Sequence, residues 1–210
     1  MGIIRKALYL CDMDAQEQLS ALIPDPTTIV ELVERMVEGF WPRSDADRRA
    51  LFHKLGFTSG ARWDDSADAS STAHFALLTT LPGELTSSWT SYNGHFMGVS
   101  MQPYTDMAPN NPTTRLGYES ISAQLTELYG PPINPWHDPV VQTGIWNVNG
   151  RRIIVRFFNL QHSGIMLSVY DAGLATAADA ESRRQMAPAH WNGSEERVSP
   201  FVLPRLGSGA

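Results

Sequence analysis

TTRLGYESISAQLTELYGPPINPWHDPVVQTGIWNVNGRRIIVRFFNLQHSGIMLSVY, residues 113–170, carries the strongest local signals of fold in the chain. It reads as a helix, a proline break, a hairpin and one more strand. Pro112, Thr113 and Thr114 begin the helix, with a threonine hydroxyl capping the first free N–H groups. Tyr118, Ile121, Leu125 and Leu128 recur at helical spacing and form one apolar stripe. Gly130 suits the residue after the last turn, and Pro131 and Pro132 forbid continuation.

The second element begins near Gly144. Asn149-Gly150 stands between two β-rich runs, and a type I′ turn needs positive φ at both of its central residues. A two-residue turn there pairs Val148 with Arg151 and Trp146 with Ile153. One face then carries Trp146, Val148, Ile153, Val155 and Phe157 and reads as core. The other carries Asn147, Arg152, Ile154, Arg156 and Phe158 and reads as outer surface. Gly164 to Tyr170 alternates Ile165, Leu167 and Val169 against Met166, Ser168 and Tyr170. A short polar connection before it makes this strand antiparallel to its predecessor.

Nearer the N-terminus, Asp25-Pro26 starts a helix, with Asp as cap and Pro at the first helical position. Ile29, Leu32, Val33, Met36, Val37 and Phe40 form its stripe. Such a stripe faces its own core more often than a partner. Ser44 with Asp47 resembles a capping box and opens a short helix that ends at Gly56, with Phe57 folding back on the last turn. Residues 59–72 read as a loop. Its Trp63-Asp64-Asp65 run is more simply a solvated loop than a cation site, because adjacent carboxylates rarely face one ion.

Ala73 to Leu81 reads as a strand, and Leu85 to Met101 as a hairpin about Asn93-Gly94. That turn pairs Tyr92 with His95 and Thr90 with Met97. Ser87, Ser88 and Ser91 place this hairpin at a solvated sheet edge. Gln102 to Pro112 reads as a loop, and Leu174 or Ala175 to Met186 as a last helix. The divisions are an N-terminal segment 1–24, a single domain 25–186 and a tail 187–210 without periodicity. The fold class is α+β, an antiparallel β-sheet built from hairpins and backed by helices.

Composition narrows function. The chain has 210 residues, 42% hydrophobic and 18% charged, enough for one ordinary core. Net charge is −6 and no basic run occurs, which argues against nucleic acid as a partner. Cys11 is the one cysteine, so neither an internal disulfide nor a thiolate metal cluster is available, which suits a cytoplasmic protein. No apolar run approaches a membrane span, and the first residues lack a signal-peptide pattern.

No hydrolase elbow, zinc-protease helix, phosphate-binding loop or dinucleotide fingerprint is present, and nothing calls for a cofactor. His137-Asp138, between Pro135 and Pro139 beside Trp136, is the most site-like pair. A loop packed by the tryptophan explains it more simply than an acid–base centre. His162-Ser163 reads as a turn, because catalytic pairs are assembled across space.

The element order resembles secretion-chaperone-like α+β proteins. Gly117 to Pro132, ending Leu-Tyr-Gly-Pro-Pro, followed by a Trp-containing strand and the Asn-Gly-Arg-Arg hairpin, also resembles a small actinobacterial immunity-protein-like family. The resemblance covers residues 25–186 and offers no catalytic residue to carry over. It implies a non-enzymatic protein-binding module that occludes a secreted toxin; the acidic balance suits a basic partner by steering encounter. The alternatives are a secretion chaperone holding an export substrate and an enzyme centred on His137 or His162. The candidate partner-binding residues are Arg152, Arg156 and Tyr170 on the outer sheet face, then Trp63, Asp64, Asp65, Trp136, His137 and Asp138 in the loops.

Overall fold

The computed structural model describes Leu19 and residues 21–63, 71–83, 85–137 and 140–186, with residues 134–137 as backbone. Four helices are present among them: α1 (Pro26–Glu38), α2 (Asp45–Leu55), α3 (Pro112–Tyr129) and α4 (Ala172–Met186). The strands are β1 (Phe57–Arg62), β2 (Thr72–Thr79), β3 (Thr86–Tyr92), β4 (His95–Gln102), β5 (Thr105–Asp106), β6 (Ile133–His137), β7 (Val141–Val148), β8 (Arg151–Asn159) and β9 (Ser163–Asp171). They form one antiparallel sheet in the order β1-β2-β3-β4-β9-β8-β7-β6, with the short β5 added against β9. The fold is α+β, with helices packed against a sheet built from hairpins.

The sheet is two four-stranded meanders joined through their last strands. Gly98, Val99, Ser100 and Met101 of β4 pair with Tyr170, Val169, Ser168 and Leu167 of β9. This seam is the centre of the molecule. Asn149 and Gly150 have φ of 50° and 74°, as their turn requires, and the register follows: Val148 opposite Arg151, Trp146 opposite Ile153. Trp146, Ile153, Val155 and Phe157 are all buried, so the inner face is the one their alternation predicts. Each such side chain contributes roughly 1.5–3 kcal/mol by leaving water. The Trp146 indole N–H donates to the Gly130 carbonyl at 2.9 Å, which ties β7 to the end of α3.

Helices α1 and α3 pack on each other, and α3 crosses β7, β8 and β9 on the inner face. Asp25 caps α1 by accepting from the Thr28 N–H at 3.0 Å. Ile29, Leu32, Val33, Met36 and Val37 are buried as the stripe requires. Phe40 is the exception: the helix ends at Glu38 and Gly39 is extended, so Phe40 lies beyond the last turn and is 67% exposed. In α3 the cap is Asn111, not a threonine; its side-chain oxygen accepts from the Thr114 N–H at 2.9 Å. Leu128 leaves the predicted stripe and is 47% exposed, while its neighbour Tyr129 packs against the core. The capping box of Ser44 and Asp47 at α2 is present as expected.

Four expectations are corrected. Phe57, which packs edge-on against Phe52 of the last turn of α2 as expected, is also the first residue of β1. Residues 57–62 are therefore a strand, although Thr58-Ser59-Gly60-Ala61 has no alternation to announce it. The β3–β4 hairpin keeps Tyr92 opposite His95, but a bulge at Met97 places Gly98 opposite Thr90. That hairpin is also interior, not a solvated edge: β3 and β4 lie between β2 and β9, and Ser87, Ser88 and Ser91 are buried, the Ser87 hydroxyl donating to the Leu77 carbonyl at 2.6 Å. Finally, the segments read as loops at 102–112 and 135–139 contribute β5 and the end of β6, whose pairings to β9 and β7 are long-range and leave no local pattern.

A second aromatic cluster fills the inner face over β1 to β4. Phe75 stacks on Trp89 with centroids 4.0 Å apart, and the Arg48 guanidinium lies 4.1 Å from the same ring. Phe52 and Phe96 complete it. With α1 to α3 on this side, one sheet face is closed.

Candidate functional site

The outer face is partly covered, at one end, by α4. Arg152 donates to the Asp179 carboxylate at 2.8 Å and to the Thr176 hydroxyl at 2.7 Å. Tyr92 donates to Glu181 at 2.7 Å, and Ser71 bonds the other Glu181 oxygen. These hydrogen bonds, Ser71 first and then Tyr92, hold the Glu181 carboxyl below the usual range, and the same bond pushes the Tyr92 phenol up. Helix α4 itself begins because the Asp171 Oδ1 accepts from the N–H groups of Gly173 and Leu174, each at 3.0 Å.

Beyond α4 the centre of the outer face holds a cleft of about 310 Å³, lined by Trp63, His74, Ser88, Ser100, Gln102, Met166 and Tyr170 among others. Its floor is the β4–β9 seam. The Ser100 hydroxyl is hydrogen-bonded to the Tyr170 phenol at 2.5 Å and to the Ser168 hydroxyl at 2.9 Å. Gly98 is required beside them: a Cβ there would meet the Val169 carbonyl oxygen at 2.1 Å and the Tyr170 ring at 2.4 Å. Trp63 forms a wall. Its backbone N–H donates to the His74 carbonyl at 2.9 Å, which continues the β1–β2 pairing and holds the indole over the cleft while leaving it 54% exposed.

The structure thus brings together two residues named from sequence, Trp63 and Tyr170, which are distant in the chain. Arg152 and Arg156 do point to the same face, since Arg152 pairs with Tyr170 and Arg156 with Met166 across β8 and β9. Both are half-buried, and Arg152 is engaged by α4. Trp136 and His137 belong to β6, at the far end of the sheet from β1 to β3. Asp64, Asp65 and Asp138 lie outside the described residues.

His74, Ser88 and Ser100 were not foreseen. The signal for them was the low hydrophobicity of the serine-rich hairpin: its strands are interior, and Ser88 and Ser100 line the cleft on the outer face. The His74 Nδ1 meets the Thr90 hydroxyl at 3.2 Å, a pairing that resembles a base and nucleophile. Thr90 is only 1% exposed, so this contact joins two strands and presents no accessible hydroxyl. His162 lies exposed in the β8–β9 turn. Among the described residues no group of three or more His, Cys, Asp and Glu is placed to hold a metal ion, and no helix is long and apolar enough to cross a membrane.

The chain matches no family model, no curated protein and no solved structure at a significant level.

Proposed function

We propose that the protein is a non-enzymatic protein-binding module that engages its partner through the outer face of the sheet, as an immunity protein neutralising a secreted toxin in the cytoplasm. One observation carries the reading: the outer-face cleft sets an exposed indole, Trp63, against a rigid floor made by the two central strands. An aromatic anchor on a rigid element beside a small pocket is the usual composition of an interface hot spot, since little side-chain freedom is lost on binding. The half-buried Arg156 extends the same surface along β8. The net charge of −6 favours a basic partner through long-range steering. The resemblance of residues 25–186 to immunity proteins supplies the kind of partner.

Growth rescue tests this. A host producing the protein encoded beside this chain should survive when the chain is co-expressed and die without it. Survival without the chain overturns the immunity reading. Capture of an export substrate through an extended segment would replace it with a secretion chaperone. Turnover abolished by His137→Ala or His162→Ala would replace it with an enzyme.

A further inference from the structure

A different cleft, of about 620 Å³, opens where the Asn149-Gly150 hairpin, the start of β4, the end of β9 and the α1–α2 connection meet. Its volume is twice that of the outer-face cleft and falls in the range of small-molecule sites. Phe40, Trp41, Arg43, His95, Arg151 and Asp171 contribute to its lining.

The central group is Arg151. Its guanidinium carbon lies 4.4 Å from the centre of the Trp41 ring, and its side chain is mostly withdrawn from solvent. The nearest carboxylate is poorly placed to neutralise it: the Asp171 Oδ2 is 3.9 Å from Nη1, and the Asp171 Oδ1 is occupied with the first N–H groups of α4. Nη1 has a long contact of 3.4 Å to the Gly150 carbonyl, and Nε is buried without a hydrogen-bond partner. Burial presses the guanidinium pKa below its ordinary range, with Asp171 opposing. A buried cation with incomplete hydrogen bonding is costly, and its cost falls when an anion joins it. Arg43 and His95, both exposed, add donors at the rim. Phe40, beyond the end of α1 and 67% exposed, supplies an apolar wall.

We infer that this cleft is a second binding site, for a carboxylate carried on an aromatic or apolar body. The carboxylate takes the Nη groups of Arg151 in the planar geometry a guanidinium favours, and the body lies against Phe40 and Trp41. The site uses none of the outer-face residues and stands or falls apart from the proposed function.

The full-length chain is titrated with N-acetyl-phenylalanine, with the amide of the same compound and with acetate, following the assigned Trp41 indole N–H by NMR. The expected result is saturable binding of the acid, at least about tenfold tighter than the amide or acetate, and its loss in Arg151→Gln. If that variant does not fold, the double variant Phe40→Ser, Arg43→Gln, which alters two exposed side chains, should weaken binding of the acid at least about threefold. The inference is overturned if the acid does not saturate the Trp41 signal. It is equally overturned if the amide or acetate binds as tightly as the acid, or if the folded variants bind it like the parent.

Discussion

The Arg152 guanidinium on β8 and the Asp179 carboxylate on α4 meet at 2.8 Å, and this pair, with Thr176, fastens the last helix to the outer face of the sheet. The partners are unequal: the Asp179 side chain is largely exposed, so the pair is screened. Arg152→Glu should therefore cost about 1 kcal/mol, felt mainly as faster amide exchange in α4. The swap Arg152→Glu with Asp179→Arg should recover most of it. Global unfolding by the single change would mean that α4 supports the sheet and does not merely rest on it.

Ile153 and Trp146 face each other across β7 and β8 on the inner side, and Ile153 is wholly buried. Ile153→Asp puts a carboxylate there without a partner, at a cost of about 3 kcal/mol or more. The domain should fail to melt cooperatively. A melting curve like the parent's would show that the two sheet faces are inverted.

At the seam, Gly98→Ala should be among the most damaging small substitutions. The added Cβ meets β9 backbone, which cannot step aside as a flexible side chain would. We expect a loss of about 3 kcal/mol in chemical denaturation, with the Tyr170 ring signals displaced. An unchanged midpoint would place β4 and β9 further apart than described here.

These residues also show what could be read from sequence. Asn149-Gly150 needs only local geometry, so the turn, its register and both faces of β7 and β8 were legible. The caps at Asp25 and Ser44 were legible for the same reason. What escaped notice was long-range. Strand β1 exists because β2 pairs with it, and Ser88 and Ser100 lie in the interior because β9 completes the sheet beside β4. Trp63 and Tyr170 were each singled out, but their meeting depends on the order in which strands assemble, which no local pattern records. Arg151 was legible as the strand residue opposite Val148, but its burial against Trp41 depends on a connection far away in the chain.

The Asp25 cap has a pH signature. Hydrogen bonds from the Thr28 side chain and then its backbone N–H hold the Asp25 carboxyl below its ordinary pKa. A depressed folded-state pKa gives stability that is present above the unfolded value and lost as pH falls through the folded one. Asp25→Ala should cost about 1 kcal/mol at pH 7, and the gap between parent and variant should close below about pH 4. A gap independent of pH would assign the effect to helix geometry instead of the charged cap.

Binding of the partner by the outer face is measured as the affinity of the purified protein encoded beside this chain for the double variant Trp63→Ala, Arg156→Glu. Trp63 is exposed and Arg156 half-buried, so the melting temperature should change by no more than about 2 °C. An outer-face interface requires the dissociation constant to rise at least about 30-fold, equivalent to roughly 2 kcal/mol and the scale of a lost hot spot. A folded double variant that binds its partner as tightly as the parent would contradict it.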